Sequence, residues 1–303
     1  MGPAEWGILL ALSMLWGGSF FFLEIMLRAW PPFTVVLARV GLGALVLWVF
    51  MRATGQSMPR GWPVWRAFAI IGFLGNALPF VLFAWGQQSI DSGLASILNA
   101  TTPLWGVVVA HLFTRDERAT PAKIVGVLFG VAGVIAMSGS DALKEIGSGL
   151  GGNTIAQAAC LIGTLCYALA GVYARRFSAM GINPLSASIG QLGGAAVMLV
   201  PFSLAEAPWA LPAPDAAVIW ATAGMIILAT AIPYVLYFRL IERAGANNAF
   251  LCTFLIPVVA ILLGVFGLGE HMELRYLTGM MLIALGLAAI DGRVFSIGKK
   301  RVV

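Results

Sequence analysis

Charge is what this sequence has least of. Only 10% of its 303 residues are Asp, Glu, Lys or Arg, where a soluble domain carries roughly 25%. No polar stretch is long enough to cover a soluble core. No GxxxxGK[ST] pattern occurs, so ATP hydrolysis by this chain is not expected. There are two histidines and no HExxH, and no paired carboxylates lie deep in an apolar run. That leaves no expected catalytic residue, no metal site and no cofactor, and it disfavours a membrane-embedded enzyme. The three cysteines, Cys160, Cys166 and Cys252, stand in apolar segments without a CxxC pair. They read as small apolar filler and not as a disulfide framework.

What fills the chain is hydrophobic residue, 60% of the total. Runs of about 20 apolar residues match the bilayer core. Ten are expected, near Trp6–Leu27, Phe33–Met51, Val64–Trp85, Ser92–Phe113, Ala122–Met137, Thr154–Arg176, Leu185–Leu204, Ala216–Leu240, Ala246–Gly267 and Leu274–Ile290. The first run lacks a basic leader and an A-x-A site, so it is expected to be a span and not a cleaved signal. The fold class is all-α and polytopic.

The net charge of +5 speaks to topology and not to nucleic acid. With ten spans both termini share one side. That side collects Arg52, Arg60, Arg66, Arg115, Arg118, Lys123, Arg175, Arg176, Arg239, Arg243, Arg293, Lys299, Lys300 and Arg301. The opposite side has Arg28, Lys144 and Arg275, and Arg39 lies within a span. The positive-inside rule then puts both termini in the cytoplasm. The basic tail is expected at anionic lipid headgroups.

The chain is also written twice. Pro79-Phe80-Val81-Leu82-Phe83 returns as Pro233-Tyr234-Val235-Leu236-Tyr237, 154 positions on, and Pro103 returns as Pro257. At offset 153, Glu117 matches Glu270 and Gly126 matches Gly279. Each copy has five spans, an odd number, so the second enters the membrane inverted. Residues 1–138 are the first repeat, 139–153 a polar linker, 154–292 the second repeat and 293–303 a basic cytoplasmic tail. Inverted repeats with matching mid-membrane breaks are the signature of alternating access, so Pro79, Pro103, Pro233 and Pro257 are hinge candidates.

Within the spans, polar and aromatic residues at helical spacing mark a candidate cavity. Its walls are expected from Trp16, Phe20, Phe80, Phe83, Tyr167, Tyr234 and Tyr237. Asn76, Asn99 and Gln191 would offer hydrogen bonds, Gln191 holding the position in the second copy that Arg39 holds in the first. Arg39 has two open readings: an ion pair with Glu24 on the neighbouring helix, or a dock for a substrate carboxylate. Glu24 is also the one candidate for ion coupling. Helices 5 and 10 carry Gly126, Gly130, Gly133, Gly279 and Gly286 and almost no polar groups. They are expected outside the cavity, with glycine packing inside one chain favoured over a dimer face.

These features together resemble the EamA-type transporters of the drug/metabolite transporter superfamily. The resemblance is carried by Trp16-Gly17, by Pro32 followed by Arg39, and by Gly93-Leu94-Ala95 leading to Pro103, Glu117 and Gly126. Ala246 to Pro257, Gly269-Glu270 and Gly279 repeat that order. It covers nearly the whole chain. Tyr167 near the position of Trp16, and Gln191, depart from the pattern and make the pocket asymmetric. The resemblance implies a ten-helix bundle with a central cavity from helices 1–4 and 6–9. It also implies export of small metabolites, amino acids first, as in the similar YddG-type exporters, across a bacterial inner membrane. A multidrug or nucleoside exporter of the same fold is the alternative.

Overall fold

The computed structural model describes residues 2–113, 120–148, 152–211, 213–244 and 252–291. These form ten rods. Helix α1 is Pro3–Leu27, α2 is Pro32–Ala53, α3 is Trp62–Gly86, α4 is Ser92–Phe113 and α5 is Pro121–Ser148. Helix α6 is Gly152–Ala179 and α7 is Pro184–Ala205. Helix α8 comprises Ala216–Ile226, Ile227–Ala231 and Ile232–Ala244. Helix α9 comprises Cys252–Leu263 and Gly264–Leu268, and α10 is Leu274–Asp291. Arg115, Asp116, Glu117, Arg118, Ala246, Asn247, Asn248, Ala249 and the basic tail lie outside the described residues.

Proline starts many of these helices, where its missing N–H costs nothing and its fixed φ suits the first turn. Asn183 caps α7 by accepting from Ser186 N–H at 2.8 Å, and Asp215 caps α8 by accepting from Val218 N–H at 2.9 Å. The start of α2 has no such local cap. Its Phe33 and Thr34 N–H groups donate instead to Glu206, at the far end of α7, at 3.2 and 2.7 Å. The Thr34 hydroxyl donates to the same carboxylate at 2.8 Å. A carboxylate beside a helix N-terminus also gains from the helix dipole.

The packing follows a pseudo-twofold axis. Helix α1 lies against α8 and α9, and its counterpart α6 lies against α3 and α4. Helices α2 and α7 pack on each other, and so do α5 and α10. The protein is therefore a bundle of two inverted five-helix repeats. Among the described residues the two largest apolar clusters each join both repeats. One joins α1, α2, α7 and α8 through Leu23, Val40, Leu192 and Met225. The other joins α1, α3, α4, α6 and α9 through Phe20, Phe83, Leu98, Cys160 and Ile256. Large apolar side chains such as Met14, Val197 and Phe266 are exposed on the outside, as a lipid-facing surface requires.

Helix α5 differs from expectation. It runs on to Ser148, so helix takes up much of the expected linker. Ala142-Leu143-Lys144-Glu145 are good helix formers. The loss of hydrophobicity after Met137 ends the apolar run without ending the helix.

Three of the four candidate hinges coincide with a break. Ahead of Pro79 the helix widens to a π turn at Phe73–Ala77, and ahead of Pro233 to another at Ile227–Ala231, 154 positions on. Ahead of Pro103, α4 is interrupted between Asn99 and Thr102. A proline cannot accept the α-helical register on its N-terminal side, and a wider turn relieves the clash. Pro257 is the exception. It sits inside the continuous segment Cys252–Leu263, and the π turn of α9 falls at Gly264–Leu268. That turn ends at Gly269, whose φ of 73° suits glycine.

Candidate functional site

Between the two apolar clusters lies a cavity of about 370 Å³. Of the residues expected to form it, Trp16, Phe20, Arg39, Phe80, Phe83, Asn99, Tyr167, Tyr234 and Tyr237 all line it. The lining includes both members of three repeat-related pairs: Trp16 and Tyr167, Phe80 and Tyr234, Phe83 and Tyr237. The aromatic rings brace one another. Trp16 and Tyr237 have centroids 5.4 Å apart, Phe20 meets Phe83 edge-on at 6.0 Å, and Phe83 stacks on Tyr167 at 6.2 Å. Such contacts hold large side chains in place.

Two expected residues do not line the cavity. Asn76 is buried behind the wall, where its Oδ1 accepts from the Tyr234 hydroxyl at 3.3 Å. It positions Tyr234 and does not meet the cavity itself. Gln191 lies on α7 against α3, where a Cβ on Gly75 would come 3.8 Å from its Oε1. Close approach of α7 at Gly72 and Gly75 sets the amide behind the wall.

The ion pair between Glu24 and Arg39 is not made. Glu24 instead accepts from Gln87 Nε2 at 3.3 Å, and Gln87 also donates to the Phe20 carbonyl at 3.2 Å. Glu24 shares the α1 face that packs on the end of α3. Arg39 projects from α2 into the cavity, with its guanidinium carbon 3.9 Å above the Phe80 ring. Its Nε is buried without a hydrogen-bond partner. Among the described residues no acidic side chain lines the cavity.

Thr102, Gly171 and Thr230, which share helical faces with Asn99, Tyr167 and Tyr234, complete the lining together with Ser19, Leu23, Val36, Gly75, Ala229, Cys252 and Ile256. Gly75 and Ala229 stand four residues before Pro79 and Pro233 and are related by the 154-residue offset. A proline donates no bond to the carbonyl four residues back, so in both copies a lining residue's carbonyl lacks its α-helical donor. That signal is readable in sequence once the prolines are paired. The Thr230 hydroxyl donates to the Met225 carbonyl at 2.8 Å, across the π turn.

One end of the cavity is fastened. Ser92 and Gly93, at the start of α4, donate their N–H groups to Glu270, beyond the end of α9, at 2.9 and 3.2 Å. Asp91 stands beside this clasp. Burial first, and then the negative charges of Glu270 and Glu273, push its carboxyl above the ordinary 3.8, with His271 opposing.

The EamA-like transporter family model matches residues 5–139 and again residues 154–290. The chain belongs to the EamA-like transporter family. This family member is a membrane transporter. It is 28% identical over 298 residues to the uncharacterised inner membrane transporter YedA of Escherichia coli (strain K12), covering 97% of this chain and 90% of that one. It is 23% identical to the uncharacterised transporter YoaV of Bacillus subtilis (strain 168), covering 92% and 94%. A protein of Streptantibioticus cattleyicolor named a probable terminal-alkyne amino-acid exporter is 25% identical, covering 99% and 97%. A solved crystal structure of a protein 18% identical in sequence superposes with a TM-score of 0.66, over 95% of this chain and 97% of the other. It shares the fold.

Proposed function

We propose that this EamA-family transporter exports small amphipathic metabolites, amino acids foremost, across a bacterial inner membrane by alternating access. The observation that carries the substrate class is the cavity itself. Aromatic and aliphatic walls surround one guanidinium, a few hydroxyls and the Asn99 amide. A mostly apolar pocket with few polar groups suits loose selection of small amphipathic solutes. The amino-acid exporter among the relatives supports the same class, and YedA supports the inner membrane. The distribution of Lys and Arg supports cytoplasmic termini. Repeat-related π turns in α3 and α8 supply the places where the two halves exchange conformation.

No carboxylate lines the cavity among the described residues, and a proton relay uses buried ionisable groups on the path. Transport down the solute gradient is the favoured mode, with Glu24 the weaker candidate for coupling. The test is uptake of a radiolabelled amino-acid panel into liposomes holding the purified protein, with and without a pH gradient. Saturable uptake that ignores the gradient is expected. Accumulation driven by the gradient and lost in Glu24→Gln would overturn the uncoupled mode. Uptake of nucleosides or cationic dyes in place of every amino acid would overturn the substrate class.

A further inference from the structure

Resting on the reading that the cavity carries small amphipathic metabolites, amino acids among them, we infer that within this class it binds a monoanion more tightly than a zwitterion: an amphipathic carboxylate whose other polar groups are neutral N–H or O–H donors, such as an N-acylated amino acid or a hydroxy acid. The argument begins with Arg39. It lines the cavity, its charge lies over the Phe80 ring, and its Nε has no partner. A cation–π contact offsets only part of the desolvation of a guanidinium. Among the described residues no acid lines the cavity to complete the balance. The cavity therefore holds one uncompensated positive charge, and an anion is the ligand that compensates it.

The hydroxyls decide the rest. Ser19 donates its proton to the Trp16 carbonyl at 2.6 Å, Thr102 to Asn99 at 2.7 Å and Thr230 to Met225 at 2.8 Å. All three line the cavity with their protons already engaged, so what they offer a ligand is lone pairs. Lone pairs accept from an amide N–H or an alcohol without needing a charge. An ammonium would also be accepted, but it brings back the positive charge that the carboxylate has just neutralised. The second charge finds no counter-ion, and cation–π attraction to the aromatic faces offsets only part of its desolvation.

The test uses one side chain in four charge states: N-acetylphenylalanine, phenylalanine, N-acetylphenylalaninamide and phenethylamine. Binding to the purified full-length protein in detergent is measured by titration calorimetry, for the native protein and for Arg39→Gln and Arg39→Lys. The monoanion is expected to bind at least about tenfold more tightly than the zwitterion and the neutral amide, and the cation most weakly. Arg39→Gln should lose about 10- to 100-fold for the monoanion, the range for a charge-assisted hydrogen bond. A cooperative thermal melt of Arg39→Gln at or above the native Tm in the same detergent shows that the variant is folded. Arg39→Lys should keep part of the preference. Equal binding of all four ligands, or of the monoanion with and without Arg39, overturns the inference and leaves the cavity reading standing. No binding by any of the four overturns both.

Discussion

Gly133 and Gly171 are both helical glycines, and the structure gives them opposite consequences when a methyl group is added. A Cβ on Gly133 would lie 2.7 Å from the Gly279 carbonyl oxygen and 3.1 Å from the Ile283 nitrogen. Ordinary contact begins near 3.4 Å. Both neighbours are backbone of α10, so the two packed helices must part by several tenths of an ångström. Overpacking of this kind costs about 1–3 kcal/mol, reduced by up to about 1 kcal/mol for alanine's better helix propensity. Gly133→Ala should therefore destabilise by up to about 2 kcal/mol, with two backbone clashes placing it toward the upper end. Gly171 has nothing within 4 Å of its Cβ position and lines the cavity. Gly171→Ala should hold or gain stability by up to about 1 kcal/mol while taking room from the cargo. The assay pairs thermal unfolding in one detergent with saturable uptake in liposomes. Gly133→Ala should melt earlier and keep its KM, because α5 and α10 supply no residue to the cavity wall. Gly171→Ala should melt as the native protein does and change its KM. A native Tm for Gly133→Ala, or a native KM for Gly171→Ala, would refute the reasoning.

Three further outcomes are expected. Glu270→Ala leaves the Ser92 and Gly93 N–H groups without their acceptor, a loss of about 1–3 kcal/mol each if both stay buried. A cysteine at Ser19, in a Cys252→Ser background, should then react faster with a membrane-impermeant thiol reagent added from the Glu270 side, and an unchanged rate would count against the clasp. The raised Asp91 carboxyl favours its protonated form in the fold, so its contribution to stability is fullest below the ordinary 3.8 and falls as pH rises through the raised value. Asp91→Asn should flatten the pH dependence of Tm just above that point, and a native slope would contradict the assignment. Glu206→Ala removes the acceptor for Phe33 N–H, Thr34 N–H and the Thr34 hydroxyl. It should lower stability by about 1–2 kcal/mol, with Glu206→Gln intermediate in the same melt.

Much of the fold was legible because bilayer chemistry is blunt. A span needs a long apolar run, and mid-span prolines are rare enough that their pairing at one offset exposes the repeat. Chain ends of helices were less legible. Nothing in hydropathy separates the end of a span from the end of a helix, and α5 continues where its apolar run stops. The aromatic lining was readable from helical spacing, since Trp16 and Phe20, or Phe80 and Phe83, share a face. Two kinds of residue escaped. Gly75 and Ala229 are small and apolar and carry no side-chain signal. Gln191 matched Arg39 by the repeat, yet close packing of α7 on the glycines of α3 set it behind the wall. The expected Glu24–Arg39 pair shows the same limit. Depth in the membrane can be read from sequence, but the direction each helix face turns is settled by packing.

The claim on which everything else depends is that cargo crosses through the central cavity. Saturable uptake into liposomes should be compared for the native protein, Trp16→Ala and Trp220→Ala. Trp16 lines the cavity, while Trp220 is 75% exposed on the outer surface. The account predicts that Trp16→Ala loses uptake at least about tenfold, in line with the loss of an aromatic contact of about 1.5 kcal/mol beyond its buried area, while Trp220→Ala transports as the native protein does. Full transport by Trp16→Ala, or an equal loss in both variants, would contradict it.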